Sequence, residues 1–289
     1  MIEPQFNDIE EWTWKGLPSV FSSDVFKRIV VHLEADETYV RGAGDKDAWK
    51  DGGLHSKDVP KDDAVVQAAK AEWLNGLVEK AMAIVKDKFL GDHELQNIRL
   101  LRKWVSSPNT LVHGLCKLDL LVVPVDLADK MAGKPITFEE ITTSCEVKYA
   151  ASTSLCSGAC MQASKIALFC MWKQVDCCYY LAFSLCGSLL TILQYMRGGP
   201  RVSPPVDIDL HPEFFIRLLL MISVGDSHWL GYDPWVTDAV IGNRRCKQVT
   251  LHGNRVAFPA DGDIKPVKVT TFTLIHPIFM AYGLKGRGT

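Results

Sequence analysis

Ser144-Cys145-Glu146-Val147-Lys148 contains the only Glu-x-Lys triplet in the chain, and its reading decides the fold. The segment has the texture of a short strand, expected over Ser144–Tyr149. On a strand, positions two apart share a face, so Glu146 and Lys148 point one way while Cys145 and Val147 point toward a core. Upstream, Leu118-Asp-Leu-Leu-Val-Val-Pro-Val125 reads as a neighbouring strand that carries Asp119. Before it, a helix is expected from about Pro60, with Asp58 as its cap, to Phe89. Val66, Ala69, Trp73, Leu74, Leu77, Ala81, Ile84 and Val85 lie there at helical spacing. After the triplet, residues 158–174 predict a second helix carrying Ile166, Leu168, Phe169 and Trp172. The stretch 178–196 alternates with period two around Gly187-Ser188, which predicts a hairpin pairing Ser184 with Thr191 and Tyr180 with Tyr195. Phe214–Val224 predicts a further helix. The fold class that follows is α/β, or α+β: a mixed sheet flanked by helices, with a short β-rich stretch after a soft boundary near residue 245.

The chemistry available to this pattern is specific. Two carboxylates, Asp119 and Glu146, can hold a divalent cation such as Mg²⁺, which polarises a phosphate and lowers the pKa of water. Lys148 can position the nucleophile or stabilise charge developing on phosphorus. Glu79 and Glu94 are the upstream carboxylates available as a further ligand. An acidic residue on one strand, Glu-x-Lys on the next, then a helix and further strands resembles the PD-(D/E)XK nuclease fold, a restriction-endonuclease-like core. The resemblance implies catalytic roles for Glu146 and Lys148 and metal ligation by Asp119 and Glu146. The same triplet also suits a Glu and Lys ion-paired on an exposed strand face.

The 289 residues allow one large domain or two modest ones. With 47% hydrophobic and 23% charged residues, the composition is that of a folded globular chain rather than a disordered one. A formal charge of −2 provides no global attraction to nucleic acid or anionic membrane. The first residues, Met1-Ile-Glu-Pro-Gln-Phe-Asn-Asp8, show no basic and apolar leader. Nine cysteines, an odd number without a C-x-x-C pair, read as buried small side chains in a reducing compartment. An intracellular protein, in cytoplasm or nucleus and without a structural metal, is therefore expected. Cys177 to Met196 has one charge-free run long enough to span a bilayer, but its alternation favours the hairpin.

From the triplet onward, an ordered set of features resembles the fungal-type protein kinase family. The set comprises Ser144-Cys-Glu-Val-Lys148, Met171-Trp-Lys-Gln174, the hairpin with Leu185-Cys-Gly187, Met196-Arg-Gly-Gly199, Phe214-Phe-Ile-Arg217, Leu230-Gly-Tyr-Asp-Pro234 and Leu284-Lys-Gly-Arg-Gly-Thr289. In that family an N-terminal conserved region precedes a kinase domain. The resemblance implies a division into 1–58, a mixed segment; 59–245, the nuclease-like domain; and 246–289, the start of a kinase N-lobe. Gly283, Gly286 and Gly288 would then belong to a glycine-rich loop that covers ATP phosphates. The chain has no H-R-D and no D-F-G, the motifs with which a kinase positions its nucleophile and metal. The expectation is a truncated, non-catalytic interaction or regulatory module with protein partners that binds no ATP by itself. The alternative is a metal-dependent nuclease acting on nucleic acid. Residues 270–289 are expected to be the least ordered.

Overall fold

The computed structural model describes residues 19–42, 48–49, 63–89, 98–112, 116–129, 136–148, 150–241, 244–251 and 270–274. Five α-helices lie among them: α1 (Ser23–Ala35), α2 (Asp63–Lys88), the single turn α3 (Val125–Ala128), α4 (Thr153–Lys173) and α5 (Pro212–Val224). The main sheet contains β3 (Arg102–Val112), β4 (Cys116–Pro124), β5 (Thr143–Lys148), β6 (Tyr179–Cys186), β7 (Leu189–Met196) and β8 (Gly199–Val202) in that order, and β9 (Val206–Asp207) also pairs with β7. All neighbours are antiparallel except β5 and β6, which run parallel. A parallel pair needs a crossover, and α4 supplies it. A two-stranded ribbon joins β1 (Tyr39–Val40) to β2 (Ala48–Trp49). A separate three-stranded antiparallel sheet joins β10 (Val236–Ile241), β11 (Arg244–Leu251) and β12 (Thr270–Leu274). The mixed sheet flanked by helices is therefore as the sequence implies.

Strand alternation sorts the sheet into two cores. Leu120, Val122, Cys145, Val147, Phe183, Leu185, Leu190 and Ile192 face α1, α2 and α5. Leu121, Val123, Tyr180, Ala182, Leu193 and Tyr195 face α4, which presents Ala163, Ile166, Ala167 and Cys170. These small residues let α4 lie close to the sheet, and the larger Leu168, Phe169 and Trp172 are only partly buried. The α4 helix starts at Thr153, five residues before the expected start, because Ser152 caps it by accepting from the Leu155 amide at 3.3 Å.

The hairpin forms in the expected register, with Ser184 opposite Thr191 and Tyr180 opposite Tyr195. Gly187 has φ +58°, the conformation required at the first central residue of a II′ turn. On α2 the buried face carries Lys70, Ala71, Leu74, Leu77, Val78, Ala81, Met82 and Val85, while Ala69 is exposed. The expected stripe was therefore rotated: Lys70, not Ala69, belongs to it.

Beyond the hairpin, the chain folds back twice along β7. Val202 pairs with Leu193, Val206 pairs with Leu190, and Ser203 fills the gap between them. The Ile192 amide donates to Ser203 Oγ at 2.9 Å, and the Ser203 amide donates to the Ile192 carbonyl at 2.9 Å. Arg102 closes the end of α5: its guanidinium donates to the carbonyls of Ile222 (3.0 Å) and Gly225 (2.7 Å) and to Ser227 Oγ (2.8 Å). The helix start expected near Pro60, its expected cap Asp58 and residues 275–289 lie outside the described residues. Of the segment expected to be least ordered, residues 270–274 form β12. No helix among the described residues is long and apolar enough to cross a membrane.

Candidate functional site

The sheet brings the three sequence-selected residues together. Leu120 pairs with Cys145, so Asp119, one residue earlier, lies beside Glu146 on the adjoining strand. Glu146 and Lys148 share a face by alternation, and both lie on the α4 side of the sheet. Lys148 Nζ is 3.4 Å from Asp119 Oδ2 and 3.7 Å from Glu146 Oε2. Asp119 Oδ2 also accepts from the Val147 amide at 2.8 Å, and its Oδ1 accepts from Gln67 Nε2 at 2.6 Å.

The strand has no exposed polar face, contrary to the simpler expectation of a solvated ion pair. Glu146 is 1% exposed, and neither of its carboxylate oxygens has a hydrogen-bond partner. Burial pushes its carboxyl up to about 8, the nearby Asp119 carboxylate adds to the rise, and Lys148 opposes it. Taking a carboxylate out of water disfavours its charged form, and a second negative charge at close range does the same.

Two residues of α2 complete the cluster, and the sequence reading selected neither for it. Gln67 orients Asp119, and one turn later Lys70 is buried at 5% exposure. Burial pushes the Lys70 amine down, partly offset by Cys145, Asp119 and Cys186, while Lys148 adds to the fall. A sequence signal existed for Lys70: it sits in the apolar stripe, four residues after Val66 and four before Leu74, where a charge needs a reason to be. For Gln67 there was none.

Two thiols border the cluster on β6 and α4. Cys186 is the register partner of Lys148, and burial pushes its thiol up to about 12, with Cys156 the next contributor. Ser184, the register partner of Glu146, faces Cys160, with Oγ 3.9 Å from its Sγ.

Other candidates stay apart. Glu79 is exposed and lines a separate cavity of about 360 Å³ with Met82, Ala83, Lys86, Arg99 and Leu100. Glu94, Gly283, Gly286 and Gly288 lie outside the described residues. The cysteines are not uniformly buried as expected: Cys156 and Cys160 are partly exposed and Cys178 is exposed. No group of three or more His, Cys, Asp or Glu side chains suited to a metal ion occurs among the described residues. A cation here would rest on two carboxylates.

No curated protein and no solved structure matches the chain. A family model described as fungal protein kinase matches residues 117–289. The match takes in β4 with Asp119, β5 with Glu146 and Lys148, the crossover helix and the hairpin. Because it spans more than half of the 289 residues, the chain belongs to the fungal protein kinase family.

Proposed function

We propose that the chain supplies a non-catalytic interaction or regulatory module of a fungal protein kinase-like protein, built on a PD-(D/E)XK nuclease-like core. The order of elements supports the core: α2, the antiparallel run β3-β4-β5, the crossover helix α4 and the parallel strand β6. Asp119 lies on the second of these strands, and Glu146 and Lys148 on the third. In this reading residues 59–245 form the module, and 246–289 contribute the first strands of a kinase lobe with Gly283, Gly286 and Gly288 in its phosphate-covering loop.

One observation carries the module reading: the charge cluster is closed on itself. Lys148 pairs with both carboxylates, and Gln67 and the Val147 amide engage both oxygens of Asp119. A substrate phosphate would have to displace contacts the fold already makes. These 289 residues also lack the H-R-D and D-F-G motifs on which phosphoryl transfer relies for positioning and metal electrostatics. The test is to incubate the purified chain with labelled ATP, Mg²⁺ and a generic protein acceptor. No transfer above background is expected. Transfer that a substitution in this chain removes would defeat the reading.

A second reading, a metal-dependent nuclease, is favoured by one feature: neither oxygen of buried Glu146 has a hydrogen-bond partner. Their hard-oxygen chemistry fits Mg²⁺. Asp119 and Glu146 would hold the cation, which supplies phosphate polarisation and water of lowered pKa when bound. Lys148 would stabilise charge developing on phosphorus. Mg²⁺-dependent cleavage of nucleic acid that is lost in Lys148→Ala supports this reading. Intact nucleic acid after incubation, with or without a Mg²⁺-induced rise in melting temperature, removes it.

A further inference from the structure

On α2, Glu79, Met82, Ala83 and Lys86 recur at the spacing of a single helical face. Arg99 and Leu100, just ahead of β3, line the same hollow of about 360 Å³. Its floor is apolar: Met82 is buried, Leu100 is partly buried against the core, and Ala83 adds a methyl. Its border is charged. Glu79, Lys86 and Arg99 are all exposed, and among the described residues none of the three side chains has an ion-pair or hydrogen-bond partner. Just beyond Lys86, Phe89 carries the Arg28 guanidinium over its ring at 4.2 Å, so a third cation stands at this end of α2. Lys88 and Asp87 pair with each other at 2.7 Å and cancel. The whole chain has a formal charge of −2, so this local positive excess is not a property of its surface at large.

The order of groups along the face selects a ligand. Glu79 to Lys86 spans about 10.5 Å of helix, the length of about three residues of extended chain. A bare inorganic anion would meet the cations in high dielectric and leave the apolar floor in water. A fatty acid would meet the cations and the floor but would lay its tail toward the Glu79 carboxylate, which needs a donor. An acidic stretch of polypeptide satisfies all three, because it brings carboxylates, an aliphatic side chain and backbone N–H groups together.

We propose that this hollow is a docking site for an acidic, aliphatic segment of a partner protein. One aliphatic side chain of the segment covers Met82, Ala83 and Leu100, its carboxylates meet Lys86 and Arg99, and a backbone amide donates to Glu79. The floor provides the apolar anchor and the charged border sets the direction of the segment and rejects basic ones. This site rests on the module reading, for which it names the kind of partner; the Asp119, Glu146 and Lys148 cluster takes no part in it.

The probe is a short fluorescein-labelled peptide of alternating glutamate and leucine, capped at both ends, whose anisotropy is read as the full chain is titrated. Saturable binding is expected, weaker by about tenfold or more in the double variant Lys86→Glu, Arg99→Glu, because two attractions become repulsions. Ala83→Trp fills the hollow and leaves every charge in place, and it should weaken binding comparably. A peptide with lysine in place of glutamate should prefer the double variant to the unsubstituted chain. Absence of saturable binding would overturn the proposal, and so would equal binding of the glutamate peptide to the unsubstituted chain and to either variant. Binding of a fluorescent fatty acid that Ala83→Trp removes, with none of the peptide, would assign the hollow to lipid instead. The variants alter different parts of the hollow, so either decides the matter if the other fails to fold. Phosphate transfer by the chain defeats the module reading whatever the peptide does; no transfer and no peptide binding defeats the docking site alone.

Discussion

Glu146 is the residue on which the cluster turns. Its carboxyl rises from the ordinary 4.5 to about 8, so between those values the folded protein holds a proton that the unfolded chain has released. The extra proton is bound by the folded state, so stability is highest below about pH 4.5 from this group alone and is lost as pH rises through 8. Glu146→Gln replaces the buried carboxyl with a neutral group of the same shape. It should change stability little at pH 4, where both states hold the proton, and raise it by about 2–4 kcal/mol at pH 9. Urea unfolding at the two pH values checks this; equal effects at both would mean that folding does not raise the Glu146 carboxyl. Lys70 stands in a related position, a buried amine whose nearest compensation is Asp119 and the flanking thiols. The Glu-x-Lys triplet made Glu146 and Lys148 legible in the sequence. Gln67 was not, because its role depends on how α2 crosses the strand ends, a tertiary fact with no local pattern.

Among the elements, the hairpin was the most legible, since strict alternation and Gly187-Ser188 specify both register and turn. The β3 strand was missed. Arg102-Lys-Trp-Val-Ser-Ser107 mixes charge, aromatic and hydroxyl residues without a clean period, and its pairing with β4 shifts register at Ser106 and Ser107. The α1 helix was also missed, although Val25, Phe26, Ile29, Val30 and Leu33 form a buried face. Arg102 shows how an irregular strand earns its place: its guanidinium satisfies the carbonyls left open where α5 ends. Arg102→Ala should cost about 3 kcal/mol, because buried acceptors lose a charged donor. Arg102→Lys should recover only part of it, since an ammonium cannot span the same fork of acceptors. Denaturant midpoints of the two variants provide the measurement, and equal midpoints would contradict the capping role.

At the scale of the molecule, two sheets are joined through a small polar contact. Lys247 of β11 lies 2.8 Å from Asp176 Oδ2, and Asp176 is 4% exposed. The Asp233 amide donates to the Asp176 carbonyl at 2.8 Å, and Tyr232 donates to Gln174 Oε1 at 2.7 Å. Lys247→Ala leaves a buried carboxylate without its cation and should destabilise by about 2–3 kcal/mol. Asp176→Asn combined with Lys247→Ala should recover part of that loss, which a double-mutant cycle by thermal unfolding would detect. Additive losses would mean that the two side chains act separately.

The doubled return along β7 has a consequence for how the protein behaves in a crowd. A sheet border normally offers a row of unpaired amides and carbonyls on which a neighbouring chain can nucleate. Here β8 and β9 share that border, and Ser203 serves Ile192 in the gap between them. Pro204 and Pro205 then fill the return with residues that have no amide hydrogen to donate. The edge that remains belongs to β8 and β9, four and two residues long and interrupted between them, so this side of the sheet offers only a short, broken template for intermolecular strand addition.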